Sequence, residues 1–305
     1  VTTPTPPASA STADAISPLA PRDDAAGRLL LDWFSAPSGQ CRPLLIIAGP
    51  CVLESDEINL RIGETVRDAC ARLRLPYIFK ASYDKANRSS IRSARGPGLA
   101  EGLERLARLR ARLGVPVTTD IHEPEQARPA AEAVDVLQIP AFLCRQTDLL
   151  VAAASTGRPV NAKKGQFMAP EEMRNVVHKL GEGGAKQIML TERGTFFGYH
   201  RLVNDFIGVG DLMGLGCPVC FDVTHSTQLP GGDKTATAGR PERGPLLARA
   251  AVAAGVDALF LECHPQPTKA LSDASTMQPL ESIPALLEQL VRIRDACASS
   301  RCVEV

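Results

Sequence analysis

Lys80, Lys85, Arg88, Lys163 and Arg193 are five cations that each close, or closely follow, a short apolar run of the sequence. Phosphate oxygens need several N–H donors and a compensating charge at once, so a converging set of this kind suits one or two phosphorylated substrates. A second set, Cys51, His225, Glu262 and Asp273, offers one thiol, one imidazole and two carboxylates. That mixture of donors suits a first-row divalent ion. Taken singly, each residue has a plainer reading. A lone cation is most often solvated or paired with a neighbouring acid, a lone cysteine is a small buried hydrophobe, and a lone histidine sits satisfied in a core or loop. What favours chemistry is where these residues fall along the chain.

Eight β-branched or apolar runs recur from residue 44 onward: Leu44–Ala48, Tyr77–Ala81, Val115–Thr119, Val136–Ile139, Pro159–Lys163, Gln187–Thr191, Val219–Val223 and Ala258–Glu262. They start roughly 21 to 39 residues apart, room for one helix between each pair. The stretches between them carry helical periodicity, as in Leu99, Leu103, Leu106, Leu109 and Leu113 or Leu280, Ile283, Leu287 and Leu290. Eight strand–helix units in about 250 residues predict an α/β fold, the (β/α)8 TIM barrel. A doubly wound open sheet competes, but no glycine-rich dinucleotide turn follows the first run.

In such a barrel the chemistry sits on the loops that follow the strands. Gly49-Pro50-Cys51 follow the first run, and Lys80 closes the second with Ser82, Asp84, Lys85, Asn87, Arg88 and Ser89 behind it. Asp120, His122 and Glu123 follow the third, and Gln138-Ile139-Pro140-Ala141 close the fourth. The fifth ends in Lys163-Lys164 and the sixth in Glu192-Arg193; Asp222, His225 and Gln228 mark the seventh, and Glu262, His264 and Asp273 the eighth. Scattered surface charge would not favour one end of every strand, so the pattern predicts an enzyme. The first and eighth strands of a closed barrel are neighbours, which brings Cys51 within reach of His225, Glu262 and Asp273.

Composition sets the outer limits. The chain has 305 residues, 44% hydrophobic and 22% charged, with 34 basic and 34 acidic side chains. That is ordinary globular composition, and zero net charge gives no whole-molecule attraction to nucleic acid or an acidic membrane. No apolar run approaches the ~18–20 residues that span a bilayer. The first residues are rich in Pro, Ala, Ser and Thr and lack the layout of a secretory signal. Nine irregularly spaced cysteines do not form a disulfide pattern, so the expected location is the reducing cytoplasm. Cys217-Pro218-Val219-Cys220 has redox spacing but leads into the seventh run, which favours strand burial. Residues 1–27, with five prolines and few bulky apolar groups, read as a flexible extension, and 28–300 as one barrel domain. Leu29 to Phe34, which holds the only tryptophan, Trp33, reads as a helix or strand packed on the body.

With these residues in view, the sequence resembles the 3-deoxy-D-manno-octulosonate 8-phosphate synthases. The resemblance rests on IAGPCVLES, FKASYDKANRSS, TTDIHE, LQIPAFLCRQTDLL, KKGQF, TERGTFFGY, FDVTHSTQLPGG and ECHPQPTKALSDAS, which together reach from about residue 41 to 280. It implies a (β/α)8 barrel, usually homotetrameric, with sites near subunit interfaces. The reaction implied joins phosphoenolpyruvate to D-arabinose 5-phosphate, releases phosphate and supplies a lipopolysaccharide precursor. By motif match, Lys85, Gln138, Ala141, Lys163 and Arg193 would hold phosphoenolpyruvate, and Asn87, Arg88 and Ser89 the pentose phosphate. Arg145 would reach that sugar's phosphate from an adjacent subunit. Members with cysteine after the Gly-Pro of the first strand are metal-dependent, and those with asparagine are not. Cys51, with His225, Glu262 and Asp273, thus implies a divalent cofactor: Mn, Zn or Fe(II). Lys80 and Lys85 would stabilise anionic charge and move protons, with Asp120, His122 and Asp222 as supporting or proton-transfer groups.

One departure concerns the loop after the seventh strand. Where the family carries Ser-Gly-Gly leading into Arg-Glu-Phe, this chain reads Thr237-Ala238-Gly239-Arg240-Pro241-Glu242-Arg243. Proline stiffens what is expected to be a lid, and an aromatic residue is lost. Competing readings are the sister synthase that uses erythrose 4-phosphate, a Schiff-base aldolase built on Lys80 or Lys163, and a barrel that only binds. The sister's Lys-Pro-Arg-Thr-Ser motif is replaced here by Lys85-Ala86-Asn87-Arg88-Ser89-Ser90, which argues against it.

Overall fold

Alternation at period two divides the strand residues into two apolar sets. Ile46, Ala48, Phe79, Leu137, Ile139, Ala162, Leu190, Phe221 and Leu259 join one core with the helices. Their strand neighbours Leu45, Ile47, Ile78, Val136, Met189, Cys220, Ala258 and Phe260 form a separate cluster. A sheet buried on both faces, with two unconnected cores, is the packing of a closed barrel wrapped in helices.

A computed structural model of the protein describes residues 17–36, 42–87, 93–232 and 238–301. The barrel strands are β1 (Leu45–Gly49), β2 (Tyr77–Lys80), β3 (Val117–Asp120), β4 (Val136–Ile139), β5 (Val160–Lys163), β6 (Ile188–Glu192), β7 (Val219–Asp222) and β8 (Ala258–His264). Each pairs in parallel with the next, and β8 returns to β1 with Leu45 opposite Ala258 and Gly49 opposite Glu262. All eight expected runs are therefore strands of a closed (β/α)8 barrel, their ends differing by two residues at most from the sequence reading.

Helices form in the periodic stretches between strands, and the Leu29–Phe34 segment, open between helix and strand in the sequence, is helical. Helix α1 spans Ala25–Ser35, α2 Asp56–Arg72 and α3 Leu99–Leu113. Ser55 caps α2 by accepting from the Ile58 N–H, with Asp56 and Glu57 in the first turn complementing the helix dipole. Leu103, Leu106, Leu109 and Leu113 are the buried stripe of α3, which Gly114 ends in a left-handed turn at φ 66°.

The amino-terminal segment differs from the expected flexible extension over residues 17–27. Leu19 N–H donates to Thr156 O at 2.8 Å, and Arg158 Nη1 donates to Ala20 O at 3.1 Å. Arg22 donates to Glu132 O at 2.6 Å and pairs with buried Asp135 at 3.2 Å. Composition misses this order because many of the ties are made by backbone carbonyls and distant arginines, with only Leu19 and Ala26 adding apolar burial. Helix α1 then sets Leu30 and Trp33 against the inner cluster and closes the amino-terminal mouth of the barrel. Trp33 Nε1 donates to Pro43 O at 2.9 Å. Residues 1–16 lie outside the described residues.

A hairpin of Thr195–Gly198 with Arg201–Val203 follows β6 and was not among the expected elements. Its exposed Phe196, Phe197 and Tyr199 do not follow a buried-strand pattern. Among the described residues, no helix is long and apolar enough to cross a membrane.

Candidate active site

The inward register that places Ile78, Cys220 and Phe260 in the inner core places the residues two further on at the carboxyl-terminal mouth. Those residues are Lys80, Asp222 and Glu262. They form a buried polar floor over Phe260. Lys80 Nζ donates to Glu262 Oε1 at 2.9 Å and to Cys51 O at 3.0 Å. Lys163 Nζ donates to Asp222 Oδ2 at 2.6 Å and stands 3.7 Å above the Phe260 ring centre, within cation–π range. Gly49 is required here, because a Cβ at that position would lie 2.0 Å from Lys80 O.

Burial opposes every charge on this floor, and opposite charges decide the outcome. Burial raises the Asp222 carboxyl, but His225, Lys163 and Arg193 outweigh it and hold it well below the usual carboxylate range. Glu262 is likewise raised by burial and lowered more strongly by Lys80, His225 and Lys85 together. Lys163 is pulled below the ordinary lysine value, chiefly by burial and despite Asp222. For Lys85 burial acts downward, but its neighbours Cys51, Glu262, Asp120 and Asp273 carry it well above that value.

The four residues singled out as metal ligands come together. Ligand atoms of Cys51, Glu262 and Asp273 lie within 4.8 Å of one another. Cys51 Sγ donates to Asp273 Oδ2 at 2.9 Å and lies 3.1 Å from Ser272 Oγ. His225 Nε2 stands 3.8 Å from Glu262 Oε2 and 3.9 Å from Asp273 Oδ2. Asp222 Oδ2 lies 2.8 Å from His225 Nδ1, which makes Nδ1 the donor and leaves Nε2 facing the two carboxylates. Glu262 Oε2 is buried and has no hydrogen-bond partner. This donor set fits a divalent ion. Burial first, then Asp273 and Glu262, push the Cys51 thiol well above its ordinary value, a balance that a bound cation would reverse toward thiolate.

Beside this cluster a cavity of about 840 Å³ opens at the barrel mouth. Lys80, Lys85, Asn87, Asp120, His122, Gln138, Ala141, Lys163 and Arg193 all line it, with His225 and Asp273 on the side of that cluster. Arg193 Nη2 donates to Gln228 Oε1 at 2.6 Å, whereas buried Nη1 has no partner and neither does Gln138 Oε1. Buried donors and acceptors left open at a cavity wall are suited to a polar ligand. Asp120 takes hydrogen bonds from Ser82 Oγ and from His122 Nε2, the latter at 3.1 Å. Burial raises its pKa, but His122, Lys85 and Lys80 drive it well below the carboxylate norm.

Of the sequence-derived residues that are described, Cys51, Asp222, Glu262 and Arg145 do not line this cavity. Arg88 and Ser89 lie outside the described residues. Arg145 is exposed and faces a separate recess with Glu172, His178 and Lys179. Gln228, marked in the sequence only as following the seventh strand, also lines the wall, and two further wall residues, Gln166 and Ser272, were not among the candidates. Gln166 is buried with Oε1 unpartnered, and only its place three residues beyond Lys163 hinted at it.

The returning part of the loop after β7 is anchored. Ala238–Gly239 pairs antiparallel with Gln228–Leu229, and Arg240 N–H donates to Thr227 O at 3.0 Å. Pro241 opens a 3-10 turn, where its missing N–H costs nothing, and its carbonyl accepts from Gln278 Nε2 at 2.8 Å. Thr237 lies outside the described residues.

Comparison with known proteins agrees with this geometry. The sequence model of the DAHP synthetase I family matches residues 31–298. A 2-dehydro-3-deoxyphosphooctonate aldolase of Cyanothece sp. is 56% identical over 260 residues, covering 85% of this chain and 95% of that protein. Proteins of the same name from Nitratidesulfovibrio vulgaris and Synechococcus sp. are 58% and 54% identical, over 80% and 88% of this chain and 90% and 93% of theirs.

Proposed function

The chain belongs to the DAHP synthetase I family, and we propose that it condenses phosphoenolpyruvate with D-arabinose 5-phosphate and water to 3-deoxy-D-manno-octulosonate 8-phosphate and phosphate. The enzyme is a 3-deoxy-8-phosphooctulonate synthase that makes a lipopolysaccharide precursor. The observation that carries the reading is the convergence of buried Lys163 and Arg193, with Lys85 and Gln138, on one cavity that also borders the Cys51–His225–Glu262–Asp273 cluster.

In this reading Lys85, Lys163, Gln138, Arg193 and the Ala141 segment hold phosphoenolpyruvate, whose anionic groups take up the open Arg193 Nη1 and the lysine ammonium groups. Asn87, with Arg88 and Ser89, binds the pentose phosphate. The C3 carbon of phosphoenolpyruvate forms a bond to the aldehyde carbon while water adds at C2. The aldehyde oxygen takes a proton and the added water loses one. The C2–O bond to phosphate then breaks as the C2 hydroxyl gives up its remaining proton to the departing phosphate, and C2 becomes a ketone. Lys85 and Lys80 hold the negative charge that develops, and the Asp120–His122 pair is the proton-transfer candidate on the sugar side of the cavity. Asp222 orients His225 and balances Lys163. When bound by Cys51, His225, Glu262 and Asp273, a divalent ion supplies Lewis acidity and orientation for water or the aldehyde oxygen.

Assembly as a homotetramer belongs to the same reading. It is supported by an exposed aromatic and apolar face on the hairpin and its surroundings, with Phe197 64%, Ile207 79% and Tyr199 91% exposed. Arg145, outside its own cavity, is then available to a neighbouring subunit's sugar phosphate. A reducing cytoplasmic location suits Cys51, Cys70, Cys144, Cys217, Cys220 and Cys263, all free thiols.

The test is the choice of aldehyde. With phosphoenolpyruvate, the protein should release phosphate and form the eight-carbon product with arabinose 5-phosphate, and turn over erythrose 4-phosphate at least about 100-fold less efficiently, a gap of ~2.7 kcal/mol. Preference for the four-carbon sugar would move the chain to the sister activity.

A further inference from the structure

Glu54 takes no part in the chemistry above, yet it is a buried carboxylate and both its oxygens reach the segment that delivers Asp273. Oε1 accepts from the Leu271 N–H at 3.1 Å, two residues before Asp273. Oε2 lies 3.3 Å from Nε2 of buried His264, two residues after Glu262. The Gln266 N–H donates to His264 Nδ1 at 2.9 Å, so Nδ1 is the acceptor and Nε2–H the donor to Glu54. Glu54 is itself fixed. Its N–H donates to Asn59 Oδ1 at 3.2 Å, and its carbonyl accepts from Asn59 Nδ2 and Arg105 Nη1, each at 3.1 Å.

Three short covalent paths therefore meet at one carboxylate: from Cys51 along the loop after β1, from Glu262 through the end of β8, and from Asp273 through Leu271. The last path needs a tie. Asp273 has φ 49°, a left-handed conformation that a non-glycine residue keeps only when its neighbours hold it. Downstream, its carbonyl accepts from the N–H groups of Thr276 at 2.9 Å and Met277 at 3.2 Å. Upstream, the Leu271–Glu54 bond is the matching tie, after the solvent-facing turn through Pro267 and Lys269.

We propose that Glu54, with His264, is the positioning pair that sets the Asp273 carboxylate against Cys51 and Glu262 and thereby sets metal affinity. The proposal rests on the reading that those residues hold a divalent ion. Outer partners of metal ligands commonly govern affinity by about 10–100-fold, and Glu54 acts here on three ligands through their backbone rather than through their side chains.

The test uses the full-length protein stripped by chelator and titrated with Mn(II), free Mn(II) being read by electron paramagnetic resonance. The metal-free melting temperature and hydrogen exchange at the Leu271 amide are read alongside. Glu54→Ala should weaken Mn(II) binding about 10–100-fold. Glu54→Gln keeps one acceptor oxygen and turns an amide N–H toward a donor, so it should weaken binding less, in the same direction, and speed Leu271 exchange with little change in metal-free melting. If Glu54→Ala does not fold, Glu54→Gln decides alone. Mn(II) affinity unchanged in the folded variants would overturn the proposal, as would loss of affinity only in step with lost metal-free stability. Wild-type protein that binds no Mn(II) would instead overturn the metal reading, with the Leu271 exchange arm still reporting whether the tie exists.

Discussion

The two oxygens of Glu262 have different surroundings: Oε1 accepts from Lys80 Nζ at 2.9 Å, and buried Oε2 has no hydrogen-bond partner but faces His225 Nε2 at 3.8 Å. One carboxylate thus balances a fixed internal cation and keeps an oxygen open on the side of Cys51, His225 and Asp273. A buried carboxylate of this kind cannot stand without its counter-ion.

Lys80→Met should therefore leave the Glu262 charge buried and uncompensated, which costs about 3–5 kcal/mol when one partner of a buried pair is removed. Chemical denaturation of the metal-free protein would read the loss. The double variant Lys80→Met with Glu262→Gln should recover most of it while remaining unable to bind metal normally. A Lys80→Met protein as stable as wild type would mean that the pair does not carry the floor of the barrel.

Arg193 yields a prediction about substrate binding. Its Nη2 is engaged by Gln228 and its buried Nη1 faces the cavity without a partner. A charge-assisted hydrogen bond is worth about 1.5–3 kcal/mol. Arg193→Lys, which loses the fork geometry, should raise KM for phosphoenolpyruvate by about 10–100-fold, with a smaller change in KM for arabinose 5-phosphate. Steady-state kinetics with each substrate varied would check it. An equal effect on both substrates would place Arg193 elsewhere in the reaction.

Much of this site was legible in the sequence because a strand has only two faces. Once Ile78, Cys220 and Phe260 are assigned to the inside, Lys80, Asp222 and Glu262 must be inside too, one pleat nearer the mouth. Loop residues have no such constraint. Ser272, Gln166 and Glu54 gain their roles from turns whose geometry no period predicts. The order of residues 17–27 was hidden for a similar reason: Arg158 reaches the Ala20 carbonyl across 138 positions, and a carbonyl is the same in every residue. The Thr195–Val203 hairpin escaped because its aromatic side chains face outward, so no buried face marks it as a strand.

The amino-terminal tie has a pH signature. Asp24 caps α1 through the Gly27 N–H, and hydrogen bonding to Arg110, then to that N–H, lowers its carboxyl from 3.8 to about 2. A carboxyl lowered on folding adds stability above its unfolded value, and that stability is lost as pH falls from about 3.8 through about 2. Asp24→Asn keeps a good capping side chain and removes the charge, so it isolates this effect. Because the carboxylate is half exposed, screening holds the difference to about 1 kcal/mol or less. Unfolding measured from pH 6 to pH 2 should show wild type more stable at pH 5 and the gap closing below pH 4. A gap independent of pH would assign the residue a capping role alone.

The central claim is that one cavity joins two phosphorylated substrates beside a metal held by Cys51, His225, Glu262 and Asp273. Its most direct test is phosphate release from phosphoenolpyruvate and arabinose 5-phosphate before chelation, after exhaustive chelation, and after return of Mn(II), Zn(II) or Fe(II). Activity should be lost with the metal and restored by at least one of these ions. Undiminished turnover after complete removal of metal would contradict the role given to Cys51, and no phosphate release from metal-replete protein would contradict the reaction itself.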